Sequence, residues 1–158
     1  MQVWRLTKAR HAAAAFSGEG SRLFAARWNP AGVPMVYTSS SLSLAVVEVF
    51  VHLDAPEEPD FVSIAAELPV EAASLEEQRQ DILKRLPADW RNIGNSVTQH
   101  IGAEWVAARR SLAMFVPSAV IEGEWNVLVN PAHSDAARIR LGQPKPFHFD
   151  SRMFKARG

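Results

Sequence analysis

The sequence predicts an α+β fold in a single compact domain, residues 1–158, with a mainly antiparallel or split sheet. Three observations carry this expectation. The 158 residues are 47% hydrophobic, enough to bury one core, and about 100–200 residues is the size of one domain. No repeat, low-complexity tract or linker divides them. Strand-like and helix-like segments mix without the regular βαβ alternation of a doubly wound sheet.

Element by element, residues 3–6 read as a first strand, and residues 8–16 as a helix stopped by Gly18 and Gly20. Residues 28–43 carry no charge. Within them Asn29-Pro30-Ala31-Gly32 signals a turn, and residues 33–38 a short strand. The strongest helix follows. Leu42, Ala45, Val46, Val49, Phe50 and Leu53 recur at the spacing of one helical face, Ser41 supplies an N-cap, and Asp54-Ala55-Pro56 a stop. Leu44, Val47 and Val51 make its opposite face apolar too, which predicts burial on most sides. An acidic, proline-bearing loop occupies residues 56–60, and residues 61–68 form a strand. Helices are expected over 75–86 and over 98–110, the latter with Ile101, Trp105 and Ala108 on one face. Strands are expected at 112–116, 127–129 and 147–149.

Composition excludes several kinds of function. Zero cysteines rule out a disulfide scaffold, a thiolate metal site and a cysteine nucleophile. No apolar run approaches the ~18–20 residues that span a bilayer, and no signal peptide is evident, so a cytoplasmic protein without membrane contact is expected. With 17 basic and 17 acidic residues, direct nucleic-acid binding by charge alone is not expected. The zero balance hides a pattern: residues 1–27 sum to +4, residues 44–83 to −9 and residues 138–158 to +5. The basic ends are either ordinary solvated faces or, if they converge, an anion site.

Glu48 is the only acid in its apolar helix. It is either a solvent-side residue on a thin polar stripe with Ser41 and His52, or a carboxylate in a partly dry cleft. Arg27, entering Trp28-Asn29-Pro30, is a surface arginine over tryptophan or a phosphate-binding guanidinium. Tyr37, the single tyrosine, is a strand aromatic or a ring for a heteroaromatic ligand. Ser118 follows a strand but lacks the glycine-flanked elbow of a hydrolase nucleophile. The five histidines show no metal-ligand spacing, and neither a GxGxxG nor a Walker sequence is present.

Taken together, Arg27, Glu48 and Ser118 resemble the RES-domain family of bacterial toxins, named for arginine, glutamate and serine. The match runs in order along nearly the whole chain: Trp4-Arg5-Leu6, Gly18-Glu19-Gly20, Arg27-Trp28-Asn29, Gly32-Val33-Pro34 and Tyr37-Thr38-Ser39. Ala45-Val46-Val47-Glu48 and Val51-His52-Leu53 follow. Gly102, Trp105, Val116-Pro117-Ser118, Asn126, Asn130-Pro131, His133 and Phe149-Asp150-Ser151-Arg152 complete it. Where the family usually has two glycines, this chain has Ala25 and Ala26, and alanine does not take positive φ cheaply.

The resemblance implies an ADP-ribosyltransferase-like fold, with split antiparallel sheets and surrounding helices forming a cleft for NAD as substrate, without a metal. It implies a toxin of a type II toxin–antitoxin system that consumes NAD by hydrolysis or phosphorolysis, or transfers ADP-ribose to a host protein. Its partner would be an Xre-like helix-turn-helix antitoxin covering the cleft. Carried onto this sequence, Arg27 would bind the phosphates or ribose and Tyr37 would stack on the nicotinamide or its ribose. Glu48 would be the catalytic carboxylate, with Ser118 supporting it by hydrogen bonding. A non-catalytic nucleotide- or partner-binding domain is the competing class, and Glu48 is the residue it would not need. Because Val46, Val47 and Val49 offer no second carboxylate beside Glu48, a small acceptor is favoured over a protein side chain.

Overall fold

The computed structural model describes residues 1–53 and 60–154. The main elements, in chain order, are β1 (Gln2–Lys8), α1 (Glu19–Leu23), β2 (Val36–Ser39), α2 (Leu42–Phe50) and β3 (Phe61–Glu67). They continue with α3 (Ala72–Arg85), α4 (Ser96–Ala108), β4 (Ala113–Pro117), β5 (Trp125–Val129), β6 (Arg140–Leu141) and β7 (Lys145–Phe147). Every strand pair is antiparallel, in the order β4-β5-β2-β1-β3-β6, with β7 also on β3. The sheet is nearly parted in the middle. β1 aligns with β3 over seven residue pairs, but with β2 only where Trp4 faces Ser39.

The central strands are covered on both faces, which is why 127–129 reads as an unbroken apolar run. Val127 and Val129 pack with Val3, Val36 and Phe115. Leu128 points the other way, to a second cluster with Trp28, Met35, Met114 and Ile101 of α4. The buried face of α4 is Thr98, Ile101, Gly102 and Val106. Trp105 is half-buried, with its indole N–H donating to Ser111 Oγ at 2.9 Å, and Ala108 is exposed, so the helix is rotated from the face expected.

Several boundaries differ from the sequence expectation for identifiable reasons. Residues 8–16 hold only a 3-10 segment, Ala9–Ala14. Gly18, at φ +74°, opens α1 rather than stopping a helix, and Gly20 lies inside α1. β2 starts at Val36 because both backbone groups of Met35 are bonded to Ser21 Oγ, each at 2.6 Å. The third C-terminal strand is Lys145–Phe147. Phe149 leaves the ladder and packs edge-on to Phe61 and Phe147, with Phe50 of α2 and Phe154 also against it. Ser41 caps α2, accepting from the Leu44 N–H at 3.2 Å. The Asp54-Ala55-Pro56 stop and most of the acidic loop lie outside the described residues. Only Leu44 and Ala45 of α2 are buried, so burial on most sides does not hold: Val49 and, just past the helix, Val51 line an open cleft instead.

Gly102 sets the distance between α4 and the Arg27-Trp28 turn. A Cβ there would lie 1.8 Å from the Trp28 carbonyl oxygen, and the obstacle is backbone that has nowhere to go. Gly102→Ala should therefore destabilise the fold by about 3 kcal/mol or more, read as a lower urea midpoint. Gly20→Ala meets nothing within 4 Å, and should leave the midpoint unchanged or slightly raised.

Candidate active site

Where β1 and β2 part, a cleft of about 530 Å³ opens, a size that suits a small-molecule ligand. Arg5 of β1, Tyr37 and Ser39 of β2, and Glu48 and Val49 of α2 lie along it, with Arg27 and Trp28 from the turn before β2. Asn126 of β5, together with His52 and Ile93, completes the polar and outer parts of the lining.

Glu48 sits on the second turn of α2, and both hydrogen bonds that it accepts from described residues fall on Oε1. Ser118 Oγ donates to it at 2.6 Å and Asn126 Nδ2 at 2.5 Å. Ser118 is 1% exposed and stands behind the cleft wall. Its Oγ accepts from the N–H groups of Val120 (3.1 Å) and Ile121 (2.9 Å), so its only proton is committed to Glu48. That arrangement suits a support and not a nucleophile. Asn126 is held in turn by Ser39, whose Oγ donates to Oδ1 at 2.7 Å.

Arg27 extends over Trp90, its Cζ 6.0 Å from the ring centroid. Its NH1 donates to the carbonyls of Trp90 (3.2 Å), Arg91 and Asn92 (3.1 Å). Burial lowers its pKa, and Arg91 adds to the lowering, while Glu48 and Tyr37 oppose it. Arg27 stays charged all the same, because arginine titrates so far above neutrality. The turn is clamped from α4: Thr98 Oγ1 donates to Arg27 O at 2.6 Å, and Gln99 Nε2 to Ala26 O at 3.0 Å. Neither Ala25 nor Ala26 has positive φ. Arg109 is the one described non-glycine residue that does, so alanine brings no strain to this turn.

The Tyr37 hydroxyl is occupied within the protein. It accepts from the Trp28 N–H at 3.0 Å and donates to Asn29 Oδ1 at 2.8 Å, and burial drives its pKa upward. Asn29, fully buried, spends its Nδ2 on the carbonyls of Ser21, Phe24 and Pro30. Tyr37 thus ties the arginine-bearing turn to β2 and is one of the residues lining the cleft.

The structure brings Arg27, Tyr37 and Glu48 to one cleft and places Ser118 directly behind Glu48. The described residues of the basic C-terminal segment, 138–154, do not line it. The sequence assigned Arg5, Ser39, His52 and Asn126 no role in the site, although each lies in a motif of the family resemblance. Arg5 donates from NH1 to Tyr37 O at 2.6 Å, and its buried Nε has no hydrogen-bond partner among the described residues. Desolvation lowers its pKa to about 10. A lone charge inside a strand and a lone amide inside an apolar strand were the available signals. Among the described residues no group of three or more His, Asp or Glu is arranged to hold a metal, and no helix is long and apolar enough to cross a membrane.

The hydroxyl geometry makes Tyr37→Phe informative. The substitution keeps the ring but leaves the Trp28 N–H and Asn29 Oδ1 unpaired, which should lower stability by about 1–3 kcal/mol in a urea melt. An unchanged midpoint would mean that the hydroxyl does not hold the turn.

Residues 2–150 match the RES domain family. The chain is 36% identical to a protein named Toxin Res from Photorhabdus laumondii, over 99% of both chains. It is 32% identical to a Toxin Res of Yersinia enterocolitica, over 97% of this chain and 99% of that one. It is 33% identical to the Prs ADP-ribosylating toxin of a Sphingobium species, over 96% of each. The fold is similar to that of a chain in the crystal structure of the M. tuberculosis MbcT-MbcA toxin-antitoxin complex. That likeness has a TM-score of 0.68 at 21% identity and covers 92% of this chain and 83% of that one. With the family matched from β1 to the segment after β7, and with toxins as its full-length relatives, this chain belongs to the RES domain family.

Proposed function

We propose that this chain is the toxin of a bacterial toxin–antitoxin pair and that it consumes NAD in the cytoplasm by cleaving the nicotinamide–ribose bond. An Xre-like helix-turn-helix antitoxin covering the cleft would neutralise it. The observation that carries the reading is a carboxylate fixed through one oxygen, Oε1, in a cleft that Arg27 and Arg5 also line. A dinucleotide offers complementary charge: a pyrophosphate for the guanidinium forks, and a ribose that becomes positive as nicotinamide departs.

The chemistry is a substitution at the ribose C1′. The bond from C1′ to the nicotinamide nitrogen breaks, and its electron pair leaves with neutral nicotinamide. The ribose passes through an oxocarbenium-like state, which the Glu48 carboxylate stabilises. Water then adds to C1′ and loses a proton, giving ADP-ribose; inorganic phosphate in place of water gives its 1-phosphate. Tyr37 presents its ring to the nicotinamide ribose, and Ser118 keeps Glu48 in place. The name of the Sphingobium relative supports a second reading, in which a protein side chain is the acceptor and the chain is a mono-ADP-ribosyltransferase.

Incubation of the purified chain with NAD, with and without phosphate, followed by product identification, separates these outcomes. Free nicotinamide with ADP-ribose or its phosphate supports NAD consumption. A discrete ADP-ribosylated protein in lysate, with little free ADP-ribose, supports the second reading. NAD left intact in both experiments overturns both.

Two substitutions follow. Glu48→Gln retains an oxygen that accepts from Ser118 and Asn126, so its melting temperature should match the parent, while NAD turnover falls by about a hundredfold or more. Arg27→Lys gives up the planar fork, and an ammonium satisfied by the 90–92 carbonyls has little left for a phosphate; KM for NAD should rise about tenfold.

A further inference from the structure

The second donor to Glu48 comes from an amide whose orientation is itself selected. Asn126 can turn either end of its side chain toward Glu48, and the wrong end would set a carbonyl oxygen against a carboxylate. The carboxylate, which can only accept, selects the Nδ2 end, and Ser39 holds the amide in that orientation. Its hydroxyl donates to Asn126 Oδ1 at 2.7 Å, which leaves Nδ2 to donate to Glu48 Oε1 at 2.5 Å. Ser39 and Asn126 are direct cross-strand partners in the β2–β5 ladder, and Ser39 is only 3% exposed, so the relay is built into the sheet register. Ser39 is also the residue that faces Trp4 where the two halves of the sheet meet.

A carboxylate held by one donor can still swing about that bond. Ser118, on the loop after β4, supplies one donor, and Asn126, on β5, supplies another from a different element, and both meet the same oxygen. Two donors on Oε1 fix the plane of the group, so that Oε2 is not engaged by either and has a defined direction.

We propose that Asn126 is a positioning residue for cleavage of the nicotinamide–ribose bond: braced by Ser39, it fixes Glu48 so that Oε2 is the oxygen presented to the reacting ribose. This role rests on the NAD-consuming reading above. It assigns neither Asn126 nor Ser39 a share in the bond-breaking itself. Because both act through Glu48, the effect belongs in kcat.

Steady-state NAD turnover of the full chain and three variants tests this, with the unfolding midpoint measured for each. Asn126→Asp is isosteric but places an acceptor against Oε1; kcat should fall about a hundredfold while KM stays within about threefold. Ser39→Ala removes the bracing hydroxyl and should lower kcat about tenfold at unchanged KM. Ser39→Thr keeps the hydroxyl on a side chain that strands favour, and should return kcat to within about threefold of the parent. The serine pair carries the test if Asn126→Asp does not fold.

An Asn126→Asp chain that folds and works as well as the parent overturns the proposal. So does a Ser39→Thr chain as slow as Ser39→Ala, a loss confined to KM, or a loss that tracks the unfolding midpoint across the set. A parent chain that turns over NAD while the variants behave in any of these ways leaves the NAD reading standing and removes Asn126 from it. A parent that leaves NAD intact overturns the reading and the positioning role together.

Discussion

Strands β1 and β2 lie side by side in one sheet yet face each other at a single pair, Trp4 and Ser39, and that parting sets the terms for the rest of the site. Backbone groups along a parted edge need partners other than the neighbouring strand. One solution here is a side chain: the Arg5 guanidinium reaches across and donates to the carbonyl of Tyr37. A cation is thereby drawn into a desolvated position, where burial lowers its pKa to about 10, beside space that an ideal ladder would have closed. The gap, the buried charge and the cleft are one feature seen from three sides.

The opposite charge is handled differently. α2 is an apolar helix with one acid, and an unpaired carboxylate in such surroundings is costly. Glu48 has no salt-bridge partner among the described residues. Its negative charge is met by neutral donors, a hydroxyl and an amide, each of which is anchored by further bonds behind it. Neutral donors stabilise the anion without cancelling its field, so the charge remains available to whatever enters the cleft. Had an arginine closed on Glu48 instead, much of that field would be spent inside the protein.

Much of this was legible in the sequence, and the limits have physical causes. The α+β class and the capped α2 follow from periodicity and from Ser41, both local signals. Arg27, Glu48 and Ser118 stand out because each breaks its local pattern or matches an ordered series of motifs. The site's second rank lies in the same series of motifs, but nothing local to Ser39, Asn126 or Arg5 gives it a role. Ser39 is one serine in a run of three, and its importance comes from the cross-strand register with Asn126, which residues 87 positions apart cannot announce. Arg5 matters because the sheet parts beside it, a property of strand pairing and not of composition. The over-burial expected of α2 failed for a related reason. Apolar residues predict removal from bulk water, but they do not distinguish a packed core from the wall of a cleft, and Val49 and Val51 belong to the wall.

The bond network divides the cleft into parts that can change at different rates. Tyr37 holds the Trp28-Asn29 turn through its hydroxyl and also lines the cleft, so any change made there for the sake of a new ligand also alters folding. Glu48, Asn126 and Ser39 are coupled in the same way. Ile93, 80% exposed, and Val51, 50% exposed, border the same space with side chains that can form no hydrogen bonds. They are free to vary without disturbing the floor. Divergence among such proteins in what they admit or what docks on them is therefore expected to run along the apolar lip, with the polar floor drifting only through paired changes.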